Sequence, residues 1–341
     1  MEIFKILLKD NFLKFWQKLQ DYGTVYAPVQ VSSKSYSFKA VTEPQNVAWQ
    51  ALRTILPPKK FFFKENETIL TYTDNEIKEV KPDGQKFSIL GLHPCDLAGL
   101  NIMDKIFLDY PSDTHYQDRR EKVLLIGTSC MPDSHCFCES MGTDSPNVSY
   151  DIFITDINDA YFLQIATVKG KEFMNSCNDF LQLPSVQNNN EYKEFWEIRS
   201  KSFKIGFKES NLKSLMNLEI DNPIWEELGN QCLSCGNCTP VCPTCYCFDM
   251  LDTVNLDSVS GQRDRQWDSC QFTMFSGVAG DFNFRATPVE RLKFWYRHKL
   301  HGFDDPHGLK TCVGCGRCTV SCPAEIDDIV GLVKALQKKT E

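Results

Sequence analysis

The sequence predicts an α+β domain over residues 1–225, with an α/β-like alternation of elements, followed by a smaller, mainly α-helical domain over residues 226–341. Up to about residue 222, strand-like runs alternate with helical stretches, a mixture typical of α/β and α+β proteins. Beyond that point cysteines abound and strand-like runs vanish. In addition, one cysteine pattern occurs twice, at 232–243 and again at 312–323.

The expected strands of the first domain are β-branched or aromatic runs bounded by Gly, Pro, Asp or Asn, namely TVYAPVQV, FFFKENETILTYT, KFSILGL, KVLLIGT and SYDIFITDI. Helices are expected over 96–107, 171–181 and 191–202. Apolar residues of the first nineteen positions recur at helical spacing, which predicts an amphipathic N-terminal helix. Two polar stretches, PSVQNNNEY and KESNLKSLMNLEIDNP, are expected to be loops.

The second domain is expected to begin with a helix. Asn222 followed by Pro223 is a helix start, and the helix IWEELGNQ would deliver the chain to Cys232. Two further segments have helical patterns, PVERLKFWYRHKL and DDIVGLVKALQKK.

Composition excludes several function classes. A net charge of −8 argues against a general affinity for nucleic acid or anionic membrane. No apolar run approaches the roughly 18 residues of a membrane span. Lysines interrupt the N-terminal apolar stretch and no small-residue cleavage site follows, so a cytoplasmic location is expected. There, clustered cysteines bind metal or do catalysis more often than they form disulfides.

The repeated pattern, CLSCGNCTPVCP and CVGCGRCTVSCP, has the spacing C-x2-C-x2-C-x3-C-P of bacterial ferredoxins. In that pattern three thiolates hold one cubane cluster and the fourth reaches the other cluster. Zinc sites use two C-x2-C pairs and do not need four cysteines in one run. We therefore expect two [4Fe-4S] clusters with crossed ligands, one held by Cys232, Cys235, Cys238 and Cys322 and the other by Cys312, Cys315, Cys318 and Cys242.

The length and pattern of the segment between the two motif copies indicate the type of the second domain. It spans the 69 residues from 243 to 311 and carries helical patterns, whereas small two-cluster ferredoxins have only a short β-rich link there. The second domain is therefore expected to be an α-helical dicluster ferredoxin domain, of the type found in multi-subunit reductases.

A third metal site is expected in the first domain. Cys130, Cys136 and Cys138 lie in a loop after the strand KVLLIGT, and Cys95 follows the strand KFSILGL. If these strands are neighbours, the four thiols meet at one end of the sheet, where sites are usually built. A third [4Fe-4S] cluster suits them best; a structural zinc ion and unliganded thiols remain open.

Four cysteines and three histidines lie outside these sets. Cys245, Cys247 and Cys270 are expected mainly to pack as small apolar residues around the clusters, with extra ligation or a redox role left open. Cys177 is expected to be structural. Three histidines lie near the third set, namely His93, His115 and His135. A lone histidine in a loop is more often solvated than a metal ligand, so none of the three is expected to bind metal.

The motifs HPCD, the RRE before KVLLIGTSC, CFCESMGT, CPTCYC, RQWDSC and the paired ferredoxin runs occur in this order. Together they resemble the β subunit of cytoplasmic sulfhydrogenases and the corresponding iron–sulfur subunit of anaerobic sulfite reductases, over nearly the whole chain. The resemblance supports the cluster cysteines named above. It implies a partner subunit that contains FAD and reacts with NAD(P)H, together with a terminal hydrogenase or sulfite/sulfur reductase subunit, in anaerobic metabolism.

Substrate chemistry is not visible in the sequence. No GxGxxG follows a strand, and we find no Walker motif, no HExxH and no Ser/His/Asp arrangement. The expected function is therefore electron transfer within an oxidoreductase complex, without catalytic residues of its own and without nucleic-acid or membrane partners. A self-contained reductase with an open cluster at the CFC loop is the alternative, and a cluster-based redox sensor has little support.

Overall fold

The computed structural model describes residues 3–82, 84–147, 149–208, 211–257, 259–302, 310–326 and 328–338. The strands are β1 (Ile3–Leu8), β2 (Thr24–Gln30), β3 (Tyr36–Ala40), β4 (Asn66–Thr73), β5 (Glu76–Glu79), β6 (Phe87–Leu92), β7 (Val123–Thr128), β8 (Ile152–Ile157), β9 (Ala160–Ile165), β10 (Leu181–Gln182), β11 (Phe248–Val254), β12 (Gly261–Trp267), β13 (Gly277–Val278) and β14 (Phe282–Asn283). The α-helices are α1 (Phe12–Tyr22), α2 (Pro94–Phe107), α3 (Thr114–Lys122), α4 (Val168–Asn175), α5 (Val186–Lys201), α6 (Leu212–Leu218), α7 (Ile224–Gln231), α8 (Pro288–Leu300), α9 (Arg317–Ser321) and α10 (Ile329–Gln337).

An eight-stranded sheet forms the centre of the N-terminal region, in the order β10-β1-β9-β8-β7-β6-β2-β3. Strands β2, β6, β7 and β8 are parallel, and the outer pairs are antiparallel. Every residue of β7, VLLIGT, is buried, as is usual for a parallel strand covered on both faces. The mixed α/β character is confirmed, and the expected strands TVYAPVQV, KFSILGL, KVLLIGT and SYDIFITDI are present. Of FFFKENETILTYT only Asn66–Thr73 forms a strand, because the run begins at the end of a 3-10 helix, Pro58–Phe61.

The neighbouring strands β6 and β7 position the expected third site. Phe87 pairs with Val123 and Leu90 with Ile126, so the two strands run parallel and end at the same edge of the sheet. Cys95 lies in the first turn of α2, directly after β6, and Cys130 lies two residues after β7. The condition that these two strands are neighbours is therefore met.

The expected N-terminal helix is wrong in its first part. Ile3–Leu8 forms β1, which pairs with β9 from Ile3↔Ile165 to Leu8↔Ala160, and the helix begins only at Phe12. The short apolar run fits the period of a helix as well as that of a strand. Backbone pairing with β9 stabilises the strand.

Both expected polar loops contain helices. The Ser185 hydroxyl accepts a hydrogen bond from the Asn188 N–H at 3.1 Å and caps α5, which begins inside PSVQNNNEY. Likewise, the Asn211 side chain accepts from the Ser214 N–H at 3.1 Å at the start of α6. Polar residues of a kind that is common in loops thus serve here as helix caps.

Strands do not vanish after residue 226, contrary to expectation. The hairpin of β11 and β12 joins β4 and β5 in a four-stranded sheet, in the order β11-β12-β4-β5. The residues of β11 are exposed, and β12 is rich in polar and charged side chains, so a search for apolar runs does not detect these strands. The expected helices α7, α8 and α10 are present, so the C-terminal region is mixed rather than purely helical. The boundary between the two expected domains, at residues 225 and 226, stays a prediction.

A buried ionic network joins this small sheet to the N-terminal region. The Glu67 carboxylate on β4 accepts from Arg119 on α3 at 2.6 Å and from Arg265 on β12, and it contacts His115 at 3.0 Å. Burial alone would raise the pKa of Glu67, but the hydrogen bonds from the two arginines outweigh it and lower that pKa to about 2. The network therefore stabilises the fold above the usual carboxyl pKa, and this contribution is lost as the pH falls toward 2.

Replacing Glu67 by glutamine is expected to reduce the free energy of unfolding by about 3–5 kcal/mol, because two buried arginines lose a shared counter-charge. Glu76→Gln is the matched control, since that carboxylate is exposed on β5 and its ion pair with Lys78 contributes about 1 kcal/mol or less. Denaturant titration of the anaerobic protein measures both. Equal effects of the two substitutions would show that the network does not stabilise the sheet junction.

In the part of the chain that the structure describes, no helix is both long enough and apolar enough to cross a membrane.

Candidate metal centres

The first expected cysteine set surrounds a small, mostly apolar cavity. Cys232 follows α7, and Cys235 and Cys238 lie in the loop after it, while Cys322 arrives from the end of α9. All four line the cavity, together with apolar side chains that include Leu292, Trp295 and Ile326. The set thus combines three cysteines of one motif with the fourth cysteine of the other, as the spacing predicts for a cubane site.

The second expected set lines another small cavity, which Trp295 also borders. Its four cysteines are joined there by Phe137, Lys299 and Ile329. Trp295 is 1% exposed and borders both cavities, so the two sets share a buried aromatic side chain. The cysteines that line this second cavity are Cys242, Cys312, Cys315 and Cys318.

Backbone N–H groups point at the sulfurs in the same way in both motifs. The Ser234 N–H donates to Cys232 Sγ at 3.4 Å, and the Gly314 N–H donates to Cys312 Sγ at 3.4 Å. Such bonds favour the charged thiolate, which is the form that binds iron. Gly316 has a φ of +70°, and a Cβ added there would stand 2.4 Å from the His135 carbonyl oxygen. Glycine is therefore needed where the motif turns against the neighbouring loop.

The four cysteines of the expected third set lie close enough to interact. Burial raises the pKa of all four thiols, in the case of Cys136 to about 12. Electrostatic interaction with Cys130 and Cys136 further raises the pKa of Cys138, and Cys138 in turn raises that of Cys95. Buried thiols of this kind ionise only beside positive charge, which a metal core and neighbouring arginines supply.

Three arginines face the third set. Arg53 Nη2 lies 3.1 Å from Cys136 Sγ, and Arg199 Nη2 lies 3.8 Å from Cys130 Sγ and 3.9 Å from Cys138 Sγ. Arg317 lowers the pKa of Cys95 and forms an ion pair with Asp96 at 2.8 Å. Arg199 Nη1 forms an ion pair with Asp144 at 3.5 Å, and among the described residues Arg317 Nε is buried without a hydrogen-bond partner.

Three guanidinium groups beside four thiols favour negative charge at this position. The residues present therefore fit an anionic iron–sulfur core at this position. Sequence reasoning missed these arginines, because they lie on three distant segments and no local motif marks them.

The third set packs directly against the second. The Phe137 N–H donates to the Gly314 carbonyl at 2.9 Å, and Arg53 Nε donates to the Cys315 carbonyl at 2.7 Å. Thr143 Oγ1 donates to the Val313 carbonyl at 2.7 Å. The first and second sets therefore share the Trp295 side chain as a lining residue, and the second adjoins the third.

The remaining histidine and cysteine predictions have mixed outcomes. His93 and His115 are buried rather than solvated; burial lowers the pKa of His93 to about 4, and this residue sits at the N-terminal end of α2. His135 is half-buried. Cys177 is fully buried in the core behind the large sheet, as its structural assignment predicts. Within the described residues, no group of three or more His, Cys, Asp or Glu side chains closes around a single metal ion.

Comparison with known proteins identifies the type of the C-terminal region and the family of the chain. Residues 231–326 match the family described as "4Fe-4S dicluster domain". Sulfhydrogenase 2 subunit beta of Pyrococcus furiosus is 38% identical over 323 residues, which cover 95% of this chain and 95% of the relative. No solved structure matches the chain.

The fold and the cysteine sets define a 4Fe-4S protein in which a dicluster domain accompanies a region built on a large mixed sheet. With an identity of 38% over nearly its full length, the chain belongs to the sulfhydrogenase β-subunit family, and the resemblance noted in its sequence is confirmed.

Proposed function

We propose that this chain is the iron–sulfur electron-transfer subunit of a cytoplasmic multi-subunit oxidoreductase. It relays electrons between an FAD-containing, NAD(P)H-reactive subunit on one side and a terminal hydrogenase or sulfite/sulfur reductase subunit on the other. The observation that carries the proposal is the series of three adjoining four-cysteine sets. Family membership supports it, since the relative is by its name a subunit of a sulfhydrogenase.

We assign a [4Fe-4S] cluster to each set, and such clusters supply one-electron redox chemistry when bound. The chain's own groups hold them and tune their potentials. Backbone N–H groups of Ser234 and Gly314 stabilise sulfur charge in the dicluster domain, and Arg53, Arg199 and Arg317 do so at the third set. Positive charge beside a cluster favours its reduced form, so the third centre is expected to accept electrons readily.

Exposed residues lie at the two ends of this series of sets, as electron exchange with partners would require. At one end Cys235 is exposed, and its neighbour Leu233 is 65% exposed. At the other end Met131, adjacent to Cys130, is 43% exposed. The second set lies between them, and all four of its cysteines are buried. This arrangement suits a relay that receives electrons at one surface and delivers them at another.

Iron analysis tests the third centre. We expect about twelve irons per chain in anaerobically prepared protein, and about eight in Cys95→Ala, with a single EPR signal lost. Cys177→Ala is the control, because that buried thiol lies away from all three sets and should leave the iron count unchanged. About eight irons with one zinc in the unsubstituted protein would identify a structural zinc site instead, and eight irons alone would leave the four cysteines without metal.

The alternative, a self-contained reductase with its substrate at the N-terminal cluster, needs an open coordination position. The thiols of that set lie close enough to interact, and four cysteine ligands would complete a closed, electron-carrying centre. We expect the purified single chain, with full iron content, to show no turnover with sulfite, polysulfide or hydrogen gas. The same preparation should still pass electrons from reduced viologen to an artificial acceptor. Turnover with any of the three substrates would favour the reductase.

A further inference from the structure

A lysine side chain is buried at the cavity of the second cysteine set. Lys299 lies in the last turn of α8, lines that cavity together with the four cysteines, and is 1% exposed. Its Nζ atom donates to Thr244 Oγ1 at 2.9 Å, and the same hydroxyl oxygen lies 3.2 Å from Cys242 Sγ. One hydroxyl group therefore separates the lysine nitrogen from a sulfur of this set.

A second buried lysine reaches the same stretch of chain. Lys59 lies in the 3-10 helix Pro58–Phe61 and is 2% exposed. Its Nζ atom donates to the carbonyls of Thr239 and Cys245, at 3.1 and 2.8 Å. Cys245 directly follows Thr244, which accepts from the other lysine. Two lysine nitrogens are therefore held beside one short segment, residues 242–245, which begins with a cysteine of the second set.

No carboxylate balances these two charges in the part of the chain that the structure describes. Neither Lys59 nor Lys299 forms an ion pair there, and the acceptors named above are hydroxyl and carbonyl groups, which carry no net charge. A buried ammonium group without a nearby anion is costly. Four thiolates make a cubane cluster anionic, so a cluster at the second set would supply the missing negative charge beside Lys299.

The cavity of the first set differs in this respect. Among the described residues, its lining consists of cysteines, apolar residues and two neutral polar side chains, those of Asn237 and Gln271. Lys299 is the charged residue that lines the cavity of the second set. The two halves of the dicluster domain therefore offer their clusters different electrostatic surroundings, although their cysteine motifs have the same spacing.

We propose that the buried Lys299 ammonium group raises the reduction potential of the cluster at the second set. Reduction adds one electron, and with it one negative charge, to the cluster, while no bond to the lysine forms or breaks. A positive charge that water does not screen stabilises the reduced form more than the oxidised form. The second centre therefore accepts an electron more readily than it would beside a neutral side chain. The inference rests on the proposed function, which assigns a cluster to this set.

The test is a redox titration of the anaerobic native complex, followed by EPR. The signal of the second cluster is the one that is absent from Cys312→Ala. In Lys299→Met, which keeps the length of the side chain and removes its charge, we expect the ratio of reduced to oxidised second cluster at a fixed potential to fall about tenfold, equivalent to a midpoint lower by ~59 mV for one electron. Lys299→Gln, which keeps N–H donors without the charge, should shift the midpoint in the same direction. Lys299→Arg keeps the charge and should stay close to the unsubstituted midpoint.

Lys293→Met is the matched control. Lys293 lies on the same helix, pairs with Asp221 at 3.7 Å, and is not among the described residues that line the two cavities, so its loss should leave the midpoint unchanged. An unchanged midpoint in Lys299→Met, or an equal shift in the control, would overturn the proposal.

Iron analysis of the same samples separates this inference from the proposed function. Neutral variants of Lys299 that lack the second cluster, with about four irons fewer than the unsubstituted complex, would also overturn the inference, because the lysine would then be needed to hold the cluster. A full iron count with an unshifted midpoint would reject the role of Lys299 alone. An unsubstituted complex without iron at the second set would instead reject the cluster assignment of the proposed function.

Discussion

Replacing Cys322 by alanine is expected to remove about four irons per chain and to leave the cluster of Cys312, Cys315 and Cys318 in place. The reason is that Cys322 belongs in sequence to the second motif but lines the cavity of the first. Iron analysis and the EPR spectrum of the reduced, anaerobic protein measure the loss. Cys177→Ala, with its thiol buried away from the three sets, is the control and should retain all the iron.

Double substitutions test more strictly whether the two motifs exchange their fourth cysteine ligands. Cys322→Ala combined with Cys232→Ala should lose no more iron than either substitution alone, because both thiols serve one cluster. Cys322→Ala combined with Cys312→Ala should lose about eight irons, because the two thiols serve different clusters. The reverse pattern would mean that each motif holds a cluster with its own four cysteines.

Removing the clusters with a chelator is expected to lower the melting temperature by more than about 10 °C. The loops of the two motifs contain little regular structure, and Gly236, Gly314 and Gly316 hold positive φ angles within them. Metal binding is their main source of order, and binding at such a site contributes on the order of 10 kcal/mol because the site scarcely exists in the unfolded chain. One kcal/mol corresponds to roughly 2–4 °C for domains of 150–250 residues.

Anaerobic reconstitution with iron and sulfide is the control for this experiment, and it should restore the original melting temperature. Circular dichroism can follow both transitions. An unchanged melting temperature in the stripped protein would show that the fold stands without its clusters.

The parts of the site that sequence reasoning predicted are those encoded by local spacing. The two ferredoxin runs indicate which cysteines can share a cubane, and the cysteines of each expected set line one cavity. That each set holds a cluster stays a prediction. Cys95 could be associated with the CFC loop because it follows a strand end, and β6 and β7 prove to be neighbours.

What the sequence did not indicate depends on contacts between distant segments. Arg53, Arg199 and Arg317 come from three separate regions and converge only in the fold. In the same way, β1 becomes a strand because β9 offers it a backbone partner. The β11–β12 hairpin is polar, since it lies at the surface and pairs with β4, so apolar periodicity carries no signal for it.

In the proposed relay, electrons cross the chain through its cysteine-bound clusters. The most direct test compares coupled turnover with the two half-reactions in the native complex carrying Cys322→Ala. We expect NAD(P)H oxidation with an artificial acceptor, and terminal reduction driven by reduced viologen, to stay close to the rates of the unsubstituted complex. Turnover that couples the two should fall more than about 100-fold, because one link of the relay is missing. Coupled turnover at an undiminished rate in a complex that has lost this cluster would contradict the relay.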